Sequence, residues 1–372
     1  MFKLTGISRV MALTVALPAL LCAKMAAAAI EYSITDLGTL GGNYSAATGM
    51  NNMGQVVGDS YTSSGAEHAF QYSNGQMTDL GTLQAPYTGG SQATGINDAG
   101  QVIGGSIDTA TGTAQGFIYS NGFMTDLSGA TGAIIIPSVI NNSGTIGGWV
   151  PLQGAGTDSF VYNSGIRLDI GDFGYQSSTV VAINNRGVAV VENNNGPFTD
   201  IILYQNGAAT DLGDFSAFGI ISAYVEGVNN SGQMSIIGNL GGRQESYLYS
   251  SGSLIDLGSL GHSNANQPGT LAARVDSNGD VVGQSSIQGI GFHAFLYQDG
   301  VITDLNSLID PSAGWELTDA VAINDAGQIA GSGYNPSGQI DAFLLTPLPE
   351  PGRLVLPLLL ASTLLGRRRK SC

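Results

Sequence analysis

Three short phrases recur seven times along this chain, always in the same order, and that repeat limits the available folds more than any other feature. A phrase resembling Thr-Asp-Leu-Gly places its aspartate at Asp36, Asp79, Asp126, Asp169, Asp211, Asp256 and Asp304, at intervals of 43, 47, 43, 42, 45 and 48 residues. Each is followed by a phrase of the form Ile-Asn-Asn-x-Gly-Gln-Val. Its first polar position is Asn51, Asn97, Asn141, Asn184, Asn229, Asp276 and Asn324, and glycine stands three residues later every time. A third phrase, of the form His-Ala-Phe-x-Tyr, sets Phe70, Phe117, Phe160, Ile202, Tyr247, Phe295 and Phe343 in register. A fixed period of this length marks an architecture of packed, equivalent units.

The second repeat shows how one unit parses. Ala93-Thr-Gly-Ile leads into Asn97-Asp-Ala-Gly100, a type I turn followed by a left-handed glycine. Gln101-Val-Ile-Gly continues as a second strand, Gly116-Phe-Ile-Tyr as a third, and Asn121-Gly122 turns the chain into a fourth at Phe123-Met-Thr-Asp-Leu. Four short strands in about 45 residues is the unit of a propeller blade. The sequence therefore predicts an all-β, seven-bladed β-propeller; a β-solenoid ranks second and a flat meander third. The repeat begins on a lone fourth strand and ends on a third strand without a fourth. The expectation is that residues 33–38 pair with 341–345 and close the ring.

Composition agrees with this and narrows the function. Glycine contributes 55 residues and charged residues only 11%, which excludes long helices, while 43% hydrophobic residues exclude disorder. The ends differ from the middle. Residues 1–29 carry Lys3 and Arg9, an apolar run from Val10 to Ala23 and the small residues Ala26 to Ala29, the order of a secretory signal peptide. Cys22 raises a lipoprotein alternative, but Leu21 stands where a small residue is needed. Between the ends, residues 30–346 hold four arginines and no lysine against 27 carboxylates, which excludes nucleic acid as a partner. Both cysteines lie in the ends, so the middle has no disulfide.

The segment 347–372 contains Pro349-Glu350-Pro351, an apolar run from Leu354 to Leu365, and the basic cluster Arg367, Arg368, Arg369 and Lys370. It resembles the PEP-CTERM sorting signals of Gram-negative bacteria that make exopolysaccharide. The resemblance implies processing by an exosortase-type membrane enzyme and an address at the cell surface or outside it. Membrane contact would then be limited to this segment before processing; a simple tail anchor is the alternative. The repeats themselves, in His68-Ala-Phe, Asp36-Leu-Gly-Thr-Leu-Gly-Gly and Gly95-Ile-Asn-Asp-Ala-Gly-Gln-Val-Ile-Gly, resemble the HAF family of extracellular repeats over nearly all of 31–345. Ser159, Ile201 and Ser246 replace the small alanine in the third to fifth repeats. That resemblance implies no catalytic activity or ligand.

The candidate chemistry is sparse. The seven aspartates and the Asn-x-x-Gly turns read as structural, because a residue present in every unit serves what every unit needs. Asp276, Asn278 and Asp280 form an oxygen-rich segment with weak calcium binding as its functional reading and a turn as its bland one. His68, His293 and His262 carry no catalytic pattern. Carboxylate pairs such as Asp169 with Asp172, or Asp211 with Asp214, and the tryptophans Trp149 and Trp315, would suit a glycan-active site. The leading expectation is a noncatalytic surface or matrix protein that binds extracellular polysaccharide or a surface protein. A glycan hydrolase or lyase with carboxylates at the channel is the alternative. The longest departures from the repeat, 85–91, 261–270 and 307–317, are where such an enzyme would differ from a symmetric binder.

Overall fold

Each repeat folds as a four-stranded antiparallel meander. In the second, Ser91–Ile96 and Val102–Ile107 flank the first turn, Ala114–Ser120 follows, and Phe123–Asp126 completes the unit. Asn97 organises the turn alone: its Oδ1 accepts the N–H groups of Ala99 and Gln101 at 3.1 and 3.0 Å. Gly100 closes it at φ 74°, a left-handed conformation without steric cost for glycine. Before the fourth strand, Asn121 and Gly122 both take positive φ, the type I′ geometry whose twist suits a hairpin.

The computed structural model describes residues 32–349 apart from 84–88, 109, 129–133, 154–155, 172, 175, 196–197 and 262–268. The expected leader 1–29, the tail from Glu350 onward, His262 and Asp172 lie outside the described residues. Among the described residues, 28 strands pair as seven meanders, six of them continuous in sequence. The remaining one takes Glu316–Ile323, Ile329–Tyr334 and Ile340–Pro347, and its fourth strand is Tyr32–Asp36. Ile34 lies opposite Leu345 and Asp36 opposite Phe343, and Leu37 N–H donates to Ala342 O at 3.0 Å. Among the described residues no helix is long and apolar enough to cross a membrane.

Packing explains the third phrase of the repeat. Phe70, Phe117, Phe160, Phe295 and Phe343 are fully buried, each opposite a glycine of the second strand: Gly58, Gly104, Gly148, Gly283 and Gly331. A Cβ on Gly104 would lie 2.7 Å from Phe117 Cζ, so the glycine is what lets the ring lie flat on the strand. Burial of each ring contributes on the order of 2–3 kcal/mol. The core is divided into clusters shared by consecutive meanders: Val57, Ala69 and Leu80 pack with Ala93, Val102 and Phe117 of the next. Another cluster joins the last meander to the first, through Ala322, Ala330 and Ala342 against Ala47, Val56 and Phe70.

Candidate functional site at the central channel

The first strands of all seven meanders converge on one channel, and its walls are layered by position in the repeat. The mouth, a cavity of ≈ 190 Å³, is rimmed by the Asn-x-x-Gly turns. One residue before each turn stands an apolar collar of Met50, Ile96, Ile140, Ile183, Val228, Val275 and Ile323, which lines the mouth and also a second cavity of ≈ 170 Å³. One residue further back come Gly49, Gly95, Val139, Ala182, Gly227, Arg274 and Ala322, lining the second cavity alone.

Two chains of hydrogen bonds run around the mouth. On the inner one, the Nδ2 amides of Asn51, Asn97, Asn141, Asn184 and Asn229 donate to the carbonyls of Asn97, Asn141, Asn184, Asn229 and Asp276 at 2.8–3.1 Å. Asn324 donates to Asn51 O at 3.3 Å. Asp276 cannot continue the series, because a carboxylate has no N–H to give. On the outer chain, the backbone N–H groups of Asn52, Asp98, Asn142 and Asn185 donate to the Oδ1 atoms of Asp98, Asn142, Asn185 and Asn230. Ser277 N–H donates to Asp325 Oδ1 and Asp325 N–H to Asn52 Oδ1, each at 3.2 Å. Ser277 interrupts this chain, since it has no Oδ1 for Asn230.

The layer below the collar breaks its symmetry at the same unit. Six of its seven positions carry glycine, alanine or valine, and the other carries Arg274. The arginine stem lies over Gly227, where a Cβ would sit 3.4 Å from Arg274 Cδ, and Nη1 donates to the Glu226 carbonyl. Glu226 is the extra residue of a β-bulge that every first strand has at this point. Its counterparts are Thr48, Thr94, Ser138, Val181, Ala273 and Val321. Burial raises the Glu226 carboxyl above its ordinary value, and the Arg274 charge opposes that. Burial works against the guanidinium in turn, while the Glu226 charge supports it. The two charged groups make no ion-pair contact, so among the described residues the fork is tied down only through Nη1.

No family model and no curated protein matches the chain. Solved structures do. The β-propeller domain of the Trilobed protease from Pyrococcus furiosus aligns with a TM-score of 0.52 at 9% identity, covering 83% of this chain and 99% of that one. The fold is a β-propeller. The Pyrococcus domain has an open velcro topology, whereas here Tyr32–Asp36 lies in antiparallel register on the last strand. TolB from Acinetobacter baumannii gives 0.47 at 10% identity, over 79% of this chain and 64% of that one. A gluconolactonase from Xanthomonas campestris gives 0.38 at 14%, over 87% and 92%.

The other residues singled out in the sequence take places in the propeller blades. Asp36, Asp79, Asp126, Asp211, Asp256 and Asp304 each accept the N–H two residues ahead at 2.7–2.9 Å. Asp169 instead pairs with Arg167 at 2.8 Å. Across the same hairpins, His68 Nδ1 lies 2.9 Å from Asp79, His293 Nδ1 2.7 Å from Asp304, and Gln115 Nε2 donates to Asp126 at 2.7 Å. The His of the third phrase and the Asp of the first therefore face one another on adjacent strands. Asp276 takes the turn role of its asparagine counterparts, accepting the N–H groups of Asn278 and Asp280 at 2.8 Å, while Asp280 accepts from Gln298. Among the described residues no three His, Cys, Asp or Glu side chains gather in a metal-binding group. Asp214 accepts Ser216 N–H, a turn role beside that of Asp211. Trp149 lies within the strand Ile146–Pro151, and Trp315 meets Phe343 edge-on at 6.1 Å.

Two further carboxylates escaped the sequence reading. Asp59 and Glu192 occupy the same place in their blades, eight residues after the turn asparagine, and both are buried. Glu192 is pushed up to about 7 by burial, although Val225 N–H donates to it at 2.6 Å. Asp59 is pushed up to about 7 by burial first and then by the neighbouring Glu67 carboxyl. Glu67 also accepts from Gln92 Nε2 of the next blade at 3.0 Å. A blade-by-blade alignment exposes Arg274, the polar exception in a column of glycine, alanine and valine, whereas the column of Asp59 and Glu192 also holds Gln284 and Ser332 and hides them.

Proposed function

We propose that the chain is an exported, noncatalytic surface or matrix protein whose body is a closed seven-bladed propeller. In this reading the Tyr32–Asp36 strand completes the last blade, and the two hydrogen-bond chains at the mouth tie the blades into a ring. The leader-like 1–29 and the PEP-CTERM-like 347–372, with Pro349, Glu350 and Pro351, support export and processing at the cell surface. The observation that carries the binding role is the mouth itself: thirteen asparagine, aspartate and serine positions and one collar methionine-to-isoleucine layer present a shaped polar recess, built by equivalent turns. Such a recess suits the hydroxyls of extracellular polysaccharide, with calcium bridging where the polymer is anionic.

A glycan array probed with the purified protein, with calcium and then with chelator, tests this. Retention of a defined glycan set supports the reading, and loss in chelator identifies the bridging cation. Release of shortened glycans instead of retention would overturn it. The alternative, a glycan-active enzyme, is favoured by one observation: buried Asp59 neighbours the Glu67 carboxyl and is raised to about 7, as an acid beside a base would be. In that case Asp59→Asn would abolish the release.

A further inference from the structure

We propose that Arg274 makes the channel a binding site for a single carboxylate, carried by an acid no larger than one sugar unit. This deepens the binding reading above and rests on it. The first ground is the exception itself. Arg274 is one of four arginines, with no lysine, in residues 30–346, and it stands inside the channel at a position that is glycine, alanine or valine in the other six blades. A cation placed there for packing would need room, and room has been made: Gly227, in the next blade back, leaves the space over which the arginine stem lies.

The second ground is the state of the fork. A guanidinium has five N–H donors. Among the described residues Arg274 spends only Nη1, on the Glu226 carbonyl, and the same side chain lines the ≈ 170 Å³ cavity. A planar fork held at one corner presents its remaining donors to an acceptor of matching geometry, which a carboxylate supplies bidentately. Phosphate has similar geometry but is disfavoured by charge. The propeller carries 27 carboxylates against four arginines, and Glu226 stands beside the fork, so a dianion meets more repulsion than a monoanion.

Size limits the ligand. The cavity is below the range of pockets for drug-sized molecules, and the apolar collar of Met50 and its counterparts separates it from the polar mouth. A sugar acid fits this sequence of layers, with its carboxylate on Arg274 and its ring at the collar. A free short-chain acid offers the same carboxylate without the ring.

Calorimetric titration of the purified full chain with galacturonate, galactose, acetate and inorganic phosphate separates these cases. Galacturonate is expected to bind and galactose not to. Acetate binding as tightly as galacturonate assigns the site to free small acids; acetate weaker by tenfold or more assigns it to sugar acids. Arg274→Gln should weaken carboxylate binding at least tenfold, Arg274→Lys should recover part of it, and Glu226→Gln should tighten it several-fold by removing a like charge. Thermal melting of each variant confirms that it is folded. Phosphate binding tighter than either carboxylate, no carboxylate binding by the parent, or undiminished binding by Arg274→Gln would each overturn the proposal. Array retention that persists in Arg274→Gln while small acids stay silent would sink the channel site and leave the surface-binding reading standing.

Discussion

The turn layer at the channel mouth and the small-residue layer below the collar are built on the same seven strands, two residues apart, and they answer to different constraints. At the mouth each asparagine serves its own turn through Oδ1 and the next blade through Nδ2, so one side chain satisfies both local and neighbouring backbone. Replacing it costs hydrogen bonds in two places. Below the collar the side chains face a cavity, and the glycine, alanine and valine side chains there make no hydrogen bond to any backbone group. That layer is free to vary, and it is where a cation has entered. The same blade that carries Arg274 also carries Asp276 and Ser277, the two interruptions of the mouth. Departure from the repeat is therefore concentrated in one sector rather than spread around the channel.

The comparison can be tested first where the blades are most alike. Gly104→Val would drive its branched side chain into Phe117 and the carbonyl of Gln92, and should destabilise the protein by about 3 kcal/mol or more. Denaturant unfolding measures this; a loss below about 1 kcal/mol would mean that the glycine–phenylalanine seat is not required. Asn141→Ala removes the acceptor of Ser143 and Thr145 N–H and the donor to buried Asn184 O, for an expected loss of about 2–3 kcal/mol. Asn97→Ala should match it to within about 1 kcal/mol if the mouth is truly uniform.

Repairing the odd blade sharpens the contrast from the other side. Asp276→Asn keeps the Oδ1 acceptor for Asn278 and Asp280 and adds an Nδ2 donor for Asn324 O, at the loss of the Asn278 side-chain contact. A gain of about 1 kcal/mol in unfolding free energy is expected. Destabilisation would show that the aspartate has a role of its own in this blade.

The smallest effect concerns pH. Burial raises Glu192 from 4.5 to about 7, so the folded protein retains a proton that the unfolded chain releases. The resulting stabilisation is full below about 4.5 and is lost as pH rises through about 7. Glu192→Gln should flatten that decline while leaving the part contributed by Asp59, whose raised value acts in the same direction. Denaturation midpoints at pH 5 and pH 8 measure the slope, and an unchanged slope would place the titrating proton elsewhere.

Much of the molecule was legible before its structure. The Asn97-to-Gly100 turn, the Asn121-Gly122 hairpin and the four-strand parse rest on contacts within a few residues, and local chemistry of that kind is written directly in the sequence. The phase of the repeat pointed to a strand near Ser33 meeting one near Asp341; the observed register runs over 32–37 and 342–347. The site was less legible. Attention to the long departures at 85–91, 261–270 and 307–317 missed the channel: 307–317 supplies the short 3-10 turn Pro311–Ala313 and the end of another, and part of each of the other two lies outside the described residues. Arg274 was counted there only as a charge.

Sequence alone determined the all-β class, the repeating unit, its turns and the strong acidity of residues 30–346, because each depends on composition or on neighbours along the chain. Tertiary structure alone decided that seven equivalent positions, each some 45 residues from the next, meet around one cavity. A side chain is an exception only relative to those it faces, and Arg274 faces its counterparts only after the strands have been brought together.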